Sequence, residues 1–378
     1  MSGPWQFSAV WDHVLNNGRP LPFIWDLQLP SAAITMNETP EQNETRRTAE
    51  RTAVRSAGDQ TIQQYQNWMQ TNAAAQLMRA ARQSGITAKL RERQHTLAEL
   101  CESLSTDAVT TALLLDALVA IGFVERYADD FALARAGHLL CQYDDDLGDR
   151  RWETLVGRLK QDSDQPPTAD GLEYRSRLAA TQWIHTAAAI QAAEILDVGG
   201  AGGPAGIRIL DLGCGSGVWS CAMAHRDESA TIVAVDHPAA ISAARSTADS
   251  IELGGRFKTI DSDPIFATVG ENNFDLVVLP QLLSGYSDSQ ATELLRKAAA
   301  AATSGGRVVA PDFYVGPGRA GLQESLNRLS IHLATAAGRV RDLRECQQMF
   351  LGAGLGSIQF TYLAASEAGL GMIVAEKA

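Results

Sequence analysis

Three glycines at alternate positions, Gly213, Gly215 and Gly217, follow Asp211 at the end of the apolar run Arg208-Ile-Leu-Asp-Leu212. A buried strand ending on an acid, then backbone without Cβ atoms, then a helix start is how an α/β domain brings main-chain N–H groups up to a nucleoside cofactor. Thr231-Ile-Val-Ala-Val-Asp236 is a second strand closing on an acid. At about twenty residues past the glycines, such an acid commonly accepts hydrogen bonds from ribose hydroxyls, the less favoured alternative being a cap on the next helix. A third strand leads to Asp261-Ser-Asp263, where a carboxylate could meet an adenine amino group. Phe274-Asp-Leu-Val-Val-Leu279 is almost wholly apolar, as a central parallel strand should be. The first three of these strand ends fall on one sheet edge and would form one crevice.

The rest of the chain must position that edge. With 378 residues, 45% of them hydrophobic and 20% charged, it is long enough for two soluble domains. A net charge of −12 argues against nucleic-acid binding through phosphate neutralisation. The five cysteines show neither CxxC nor Cys/His metal spacing, so they read as reduced thiols of a cytoplasmic protein without a metal site. The N-terminus lacks the pattern of a signal peptide, and Asp116 interrupts the best apolar run, so no membrane partner is expected.

Residues 1–60 read as an N-terminal extension associated with a dimer. Trp5, Phe7, Trp11, Val14 and Leu15 share one helix face, a proline-broken stretch follows, and 37–60 is either an exposed helix or a loose linker. Residues 61–165 read as a winged helix. Thr96-Leu-Ala-Glu99 is a capping box, and Asp107 opens a helix predicted to bury Val109, Leu113, Leu114, Ala117, Leu118 and Ile121. A hairpin follows over 123–133. No Lys or Arg lies in 107–121, so dimerisation is favoured over DNA reading. Asp144-Asp-Asp146 reads as a solvated loop, and residues 166–378 as the cofactor-binding domain, with connecting helices broken at Pro166-Pro167. Its strands are expected near 207–211, 231–235, 257–260, 274–279, 306–311, 357–363 and 371–375, a parallel sheet with a final antiparallel strand.

An NAD site would place its third glycine one residue later, and Val218 stands there. The form found, with Asp211 ahead of it, resembles the S-adenosylmethionine motif of methyltransferases. Over about residues 65–375 the chain is similar to the small-molecule O-methyltransferases of bacteria and plants, the hydroxyindole and caffeate type. Asp236-His-Pro238-Ala-Ala-Ile241, Ser262-Asp-Pro264, Gly305-Gly-Arg-Val-Val-Ala-Pro-Asp312 and Gly338-Arg-Val-Arg-Asp342 resemble that family's segments in order. The resemblance implies a Rossmann-like catalytic domain behind a winged-helix dimerisation domain. It also implies a homodimer, S-adenosylmethionine as cofactor, and a small aromatic or polyketide-like acceptor.

One departure stands out. The family carries its general-base His after the fourth strand, and the matching run here is Leu282-Leu-Ser284-Gly-Tyr286. A serine hydroxyl is no base near neutral pH. The substrate end is therefore assigned to Ser284, Asp312, which ends the fifth strand, and His332 on the helix that lines the family's pocket. His185 on the inter-domain helix is a further candidate base. Two other readings stay open: a cofactor-binding relative doing decarboxylation, hydroxylation or a pericyclic step, and a non-catalytic regulator.

Overall fold

The computed structural model describes residues 40–143, 149–160, 171–316, 318 and 320–378, with backbone alone for 40–59, 142–143, 149–151, 153 and 171–173. The aromatic face expected in residues 1–35, the Asp144–Asp146 loop and the Pro166-Pro167 break lie outside these. The described residues divide into two compact units, one within 40–143 and the other within 149–378.

The first unit opens with helix α1 (Pro40–Gln83), which resolves the choice between helix and linker from residue 40 onward. Helix α2 (Ile86–Glu92) and the short β1 (His95–Thr96) follow. Thr96 then caps α3 (Leu97–Leu104): its hydroxyl accepts from Glu99 N, and the Glu99 carboxylate accepts from Thr96 N. Asp107 caps α4 (Ala108–Ala120) by accepting from Thr110 N at 2.7 Å. Strands β2 (Val124–Tyr127) and β3 (Asp130–Leu133) form the expected hairpin, and β1 pairs onto β3. The buried face of α4 differs from the expected one. Thr111, Leu115 and Leu118 point inward, while Val109 and Leu113 are exposed. Because α4 is apolar nearly all round, hydrophobic periodicity selects no face. The unit ends with α5 (Arg135–Tyr143).

The second unit carries α6 (Asp149–Lys160), α7 (Gly171–Thr181), a 3₁₀ turn over Gln182–His185, and α8 (Thr186–Ile195). It then alternates: β4 (Arg208–Leu212), α9 (Val218–Arg226), β5 (Thr231–Asp236), α10 (Pro238–Ser250), β6 (Phe257–Asp261), β7 (Phe274–Val278), α11 (Asp288–Ala301), β8 (Ala302–Asp312). Beyond these come β9 (Tyr314–Val315), α12 (Leu322–Ala334), β10 (Arg341–Asp342), α13 (Leu343–Gly352), β11 (Leu355–Tyr362) and β12 (Gly371–Lys377). The seven-stranded sheet runs β11-β12-β8-β7-β4-β5-β6. Strands β4 to β8 are parallel, and β12 is antiparallel to both its neighbours, as expected.

Side chains alternate across β4, so both sheet faces are covered. Ile209 joins the core formed with α8, α9 and α10, whereas Leu210 and Leu212 join the core formed with α11 and α13. Strand order reverses at β4: the chain leaves it toward β5 and β6 and returns on its other side as β7. The carboxyl end of β4 is thus a topological switch point, where open α/β sheets bind ligands.

Candidate active site

The turn from β4 into α9 is built from left-handed backbone. Gly213, Gly215 and Gly217 have φ of 75°, 56° and 71°, a region that costs other residues about 1–2 kcal/mol. A Cβ on Gly215 would lie 2.1 Å from Gln182 Oε1, and one on Gly213 would lie 2.4 Å from Leu282 Cδ1. The glycines are therefore required by close approach as well as by φ.

Asp211 and Asp236 are both fully buried. One Asp211 oxygen accepts from the Ser220 hydroxyl, and the other, Oδ1, has no partner. Burial pushes the Asp211 carboxyl up to about 7, against the lowering effect of Ser220. Asp236 accepts from Gly215 N and His237 N, each at 2.9 Å, and forms an ion pair with Arg175. At the edge of the crevice, Asp263 accepts from Ile265 N at 2.8 Å and lies 3.4 Å from His237 Nε2, while Asp261 pairs with Arg245 at 3.3 Å. Asp211, Asp236 and Asp261 end adjacent strands, so the predicted cofactor residues are brought to one edge.

Asp211 has a measurable consequence. Its folded value lies above the ordinary 3.8, so its stabilising contribution is complete below about pH 3.8 and is lost as pH rises through about 7. Asp211→Asn removes the buried charge but leaves an amide without a full set of partners. We expect it to raise stability by about 2 kcal/mol at pH 8 and to lose that gain by pH 5, read from melting curves at the two pH values.

Two of the residues assigned to a substrate end, Ser284 and Asp312, also come together. Asp312 Oδ1 accepts from the Ser284 hydroxyl at 2.6 Å and from Phe313 N at 2.8 Å, while Oδ2 accepts from Ser284 N at 3.0 Å. Ser284 and Asp312 are buried, and burial raises the Asp312 carboxyl above its ordinary value against those hydrogen bonds. Tyr174 on α7 completes the row. Burial and then the Asp312 charge push its phenol up to about 12, with the Arg175 and Arg177 charges and then the Ser284 hydroxyl pulling the other way. Arg341 clamps the loop that carries Ser284: it donates to Leu283 O at 2.6 Å, Tyr286 O at 2.8 Å and Asp288 at 2.9 Å. Gly338 closes the clamp, since a Cβ there would lie 2.5 Å from Ser284 O.

Neither histidine joins this row. His332 is exposed on α12, where Arg158 donates to its carbonyl at 3.1 Å. His185 is buried 6.4 Å from the Trp219 ring, and burial lowers it to about 4, so it is neutral and weakly basic near pH 7.

Sequence reasoning missed Tyr174, Arg175 and Gln182. Arg175 donates to Gly213 O at 2.6 Å across 38 residues, and Gln182 accepts from Ser216 N at 2.9 Å across 34. Leu282 and the strained, non-glycine Gln281, with φ 48°, bring the Ser284 loop against the glycine turn. The glycine turn and the Ser284–Asp312 pair are thus contiguous. Among the described residues no group of three or more His, Cys, Asp or Glu could hold a metal ion, and no helix is long and apolar enough to cross a membrane.

Residues 209–306 match the family model of a methyltransferase domain. No curated protein matches the chain. Among solved structures it is similar to mitomycin 7-O-methyltransferase MmcR, at 18% identity and TM-score 0.65, over 86% of this chain and 100% of that one. An O-methyltransferase family protein from Burkholderia thailandensis matches at 19% identity and TM-score 0.64, over 82% and 95%. Human N-acetylserotonin methyltransferase in complex with SAM matches at 17% identity and TM-score 0.62, over 85% and 98%. The chain therefore carries a methyltransferase domain, set in the fold of the O-methyltransferases that its sequence resembles.

Proposed function

We propose that the protein transfers a methyl group from S-adenosylmethionine to an oxygen of a small aromatic or polyketide-like molecule, as a cytoplasmic homodimer. The observation that carries this reading is the three-glycine turn flanked by acids that end three adjacent parallel strands. The residues fit the cofactor chemically. The turn comes without Cβ atoms, Asp211 Oδ1 is an orphaned acceptor beside it, and Asp236 and Asp263 are acceptors for hydroxyl and amino groups. When bound, S-adenosylmethionine supplies an electrophilic methyl on a sulfonium. Exposed apolar residues Ile62, Tyr65, Trp68 and Met69 on α1, with Val109 and Leu113 on α4, support a subunit interface.

The chain's own residues hold and move the acceptor's proton. As the acceptor oxygen attacks, its proton passes to Ser284 Oγ while the Ser284 proton passes to Asp312 Oδ1, which later releases it to water. The 2.6 Å hydrogen bond is already set for this transfer. Burial of the row keeps water away and raises Asp312 toward the working range of a general base. Positioning can contribute about 7–11 kcal/mol, so an acidic acceptor would need less help from the row. Incubation with S-adenosylmethionine and a panel of phenols and hydroxylated polyketides should give a product heavier by one methyl for each S-adenosylhomocysteine formed. A product without S-adenosylhomocysteine would favour the second reading, non-methyl-transfer chemistry, for which the absence of His at position 284 speaks.

A further inference from the structure

The groups that stand before the glycine turn belong to the chain itself. Asp236, the acid placed for ribose hydroxyls, is 0% exposed, and Arg175 beside it is 2% exposed. Both Asp236 oxygens are engaged: Oδ2 by the Arg175 Nη2 and Gly215 N, Oδ1 by His237 N and, at 3.4 Å, by Arg175 Nε. A ribose diol would need these same oxygens. The same Arg175 nitrogen also donates to Gly213 O, the carbonyl of the turn's first glycine. Gln182 and Leu282 fill the space directly over Gly215 and Gly213. The residues are right for a nucleoside, and they are arranged to exclude one.

We propose that Arg175 is a latch on the cofactor site, whose ion pair with Asp236 must open before a nucleoside can seat its ribose. The inference rests on the S-adenosylmethionine reading and goes beyond it, since binding alone requires no such contact. Burial works against the guanidinium, and the Asp236 charge more than offsets it, so the closed pair is a stable resting arrangement. The closed state is nevertheless incompletely satisfied, because Arg175 Nη1 is buried without a partner. That leaves the latch a reason to open when a ligand supplies hydroxyls to Asp236 in its place.

The latch also connects the two ends of the site. Tyr174, the neighbouring residue on α7, lies against Gly285, whose Cβ would be 3.1 Å from Tyr174 Cε1, and reaches the Ser284 hydroxyl. Withdrawal of Arg175 therefore disturbs Tyr174 and the loop bearing Ser284. Arrival of the cofactor is signalled to the substrate end through two consecutive residues of one short helix.

The test is stopped-flow binding, followed by tryptophan fluorescence, since buried Trp219 is the second residue of α9, just after the turn. The probes are S-adenosylhomocysteine and 5′-methylthioadenosine, the second of which carries the ribose without an amino-acid end. With wild type, the observed rate for S-adenosylhomocysteine should rise and then level off, because opening precedes binding. In Arg175→Gln the rate should keep rising linearly over the same range. Methylthioadenosine should bind that variant at least tenfold more tightly, because the competitor for Asp236 is gone. A linear wild-type rate, or unchanged or weaker methylthioadenosine binding by a variant with a wild-type circular dichroism spectrum, overturns the latch and leaves the cofactor reading intact. Should the variant not fold, the wild-type titration repeated with protein in excess decides: opening before binding gives the plateau only with ligand in excess, and a plateau in both titrations overturns the latch. If neither protein binds S-adenosylhomocysteine or S-adenosylmethionine, the cofactor reading fails, and the latch with it.

Discussion

Asp236→Ala is expected to abolish S-adenosylhomocysteine binding and to lower the melting temperature by about 10 °C. Two independent costs combine. The proposed ribose acceptor is removed, and Arg175, only 2% exposed, is left as a buried cation without its carboxylate. Removing one partner of a buried pair typically costs about 3–5 kcal/mol, which at this size corresponds to about 2–4 °C per kcal/mol. Gly215 N and His237 N lose their acceptor as well. The double variant Asp236→Ala with Arg175→Met separates the two effects. It replaces the stranded charge by an apolar side chain and should recover most of the melting temperature, with no recovery of binding. Calorimetric titration and thermal melts of both proteins check this. A double variant as unstable as the single one would show that the ion pair is not what holds α7 against the β5 end.

The stability side of that expectation shows where sequence reading stops. Asp236 is legible because it ends an apolar strand at a familiar distance from the glycines, and both features are local. Its partner is not: Arg175 comes from a helix 61 residues earlier, and nothing in Gly171-Leu-Glu-Tyr-Arg-Ser176 distinguishes that arginine from a solvated one. The strands of the sheet are legible for the same local reason, since buried parallel strands are short apolar runs bounded by turns. Helix α4 shows the converse. Its existence follows from the Asp107 cap, while its orientation depends on the packing of Leu115 and Leu118, which a helix apolar on every side does not encode. His332 marks another limit. Resemblance placed its helix near the acceptor, but the side of α12 it occupies is set by Ile331 and Leu333 packing inward, which turns the imidazole outward to Arg158. Ser284 and Asp312 are each legible in the sequence. Their contact across 28 residues follows from the sheet: Leu279 N donates to Val309 O and Gln281 N to Pro311 O, which draws the Ser284 loop alongside the end of β8.

That contact carries the second large effect. Asp312→Asn should lower kcat for methyl transfer to a weakly acidic acceptor by about 10²–10³-fold, within the range general-base catalysis supplies, with little change in S-adenosylhomocysteine affinity. The amide can still accept from the Ser284 hydroxyl but cannot take up its proton. Its NH₂ would also face Ser284 N, so a stability loss of about 1–3 kcal/mol is expected alongside. The pH profile distinguishes chemistry from structure. A buried acid raised above its ordinary value is protonated on the acid side of the profile, so wild-type kcat/KM should rise with pH through that titration. In Asp312→Asn this limb should disappear, leaving a low, flat rate. Ser284→Ala should leave the acid in place while breaking the path to it, and so should lower kcat to a similar degree. Acceptor acidity is the final discriminator. For phenols already ionised at the assay pH, wild type and both variants should converge, because no proton remains to be moved. Equal losses for ionised and neutral acceptors would show instead that Asp312 only shapes the loop, and the proton path through Ser284 would be wrong.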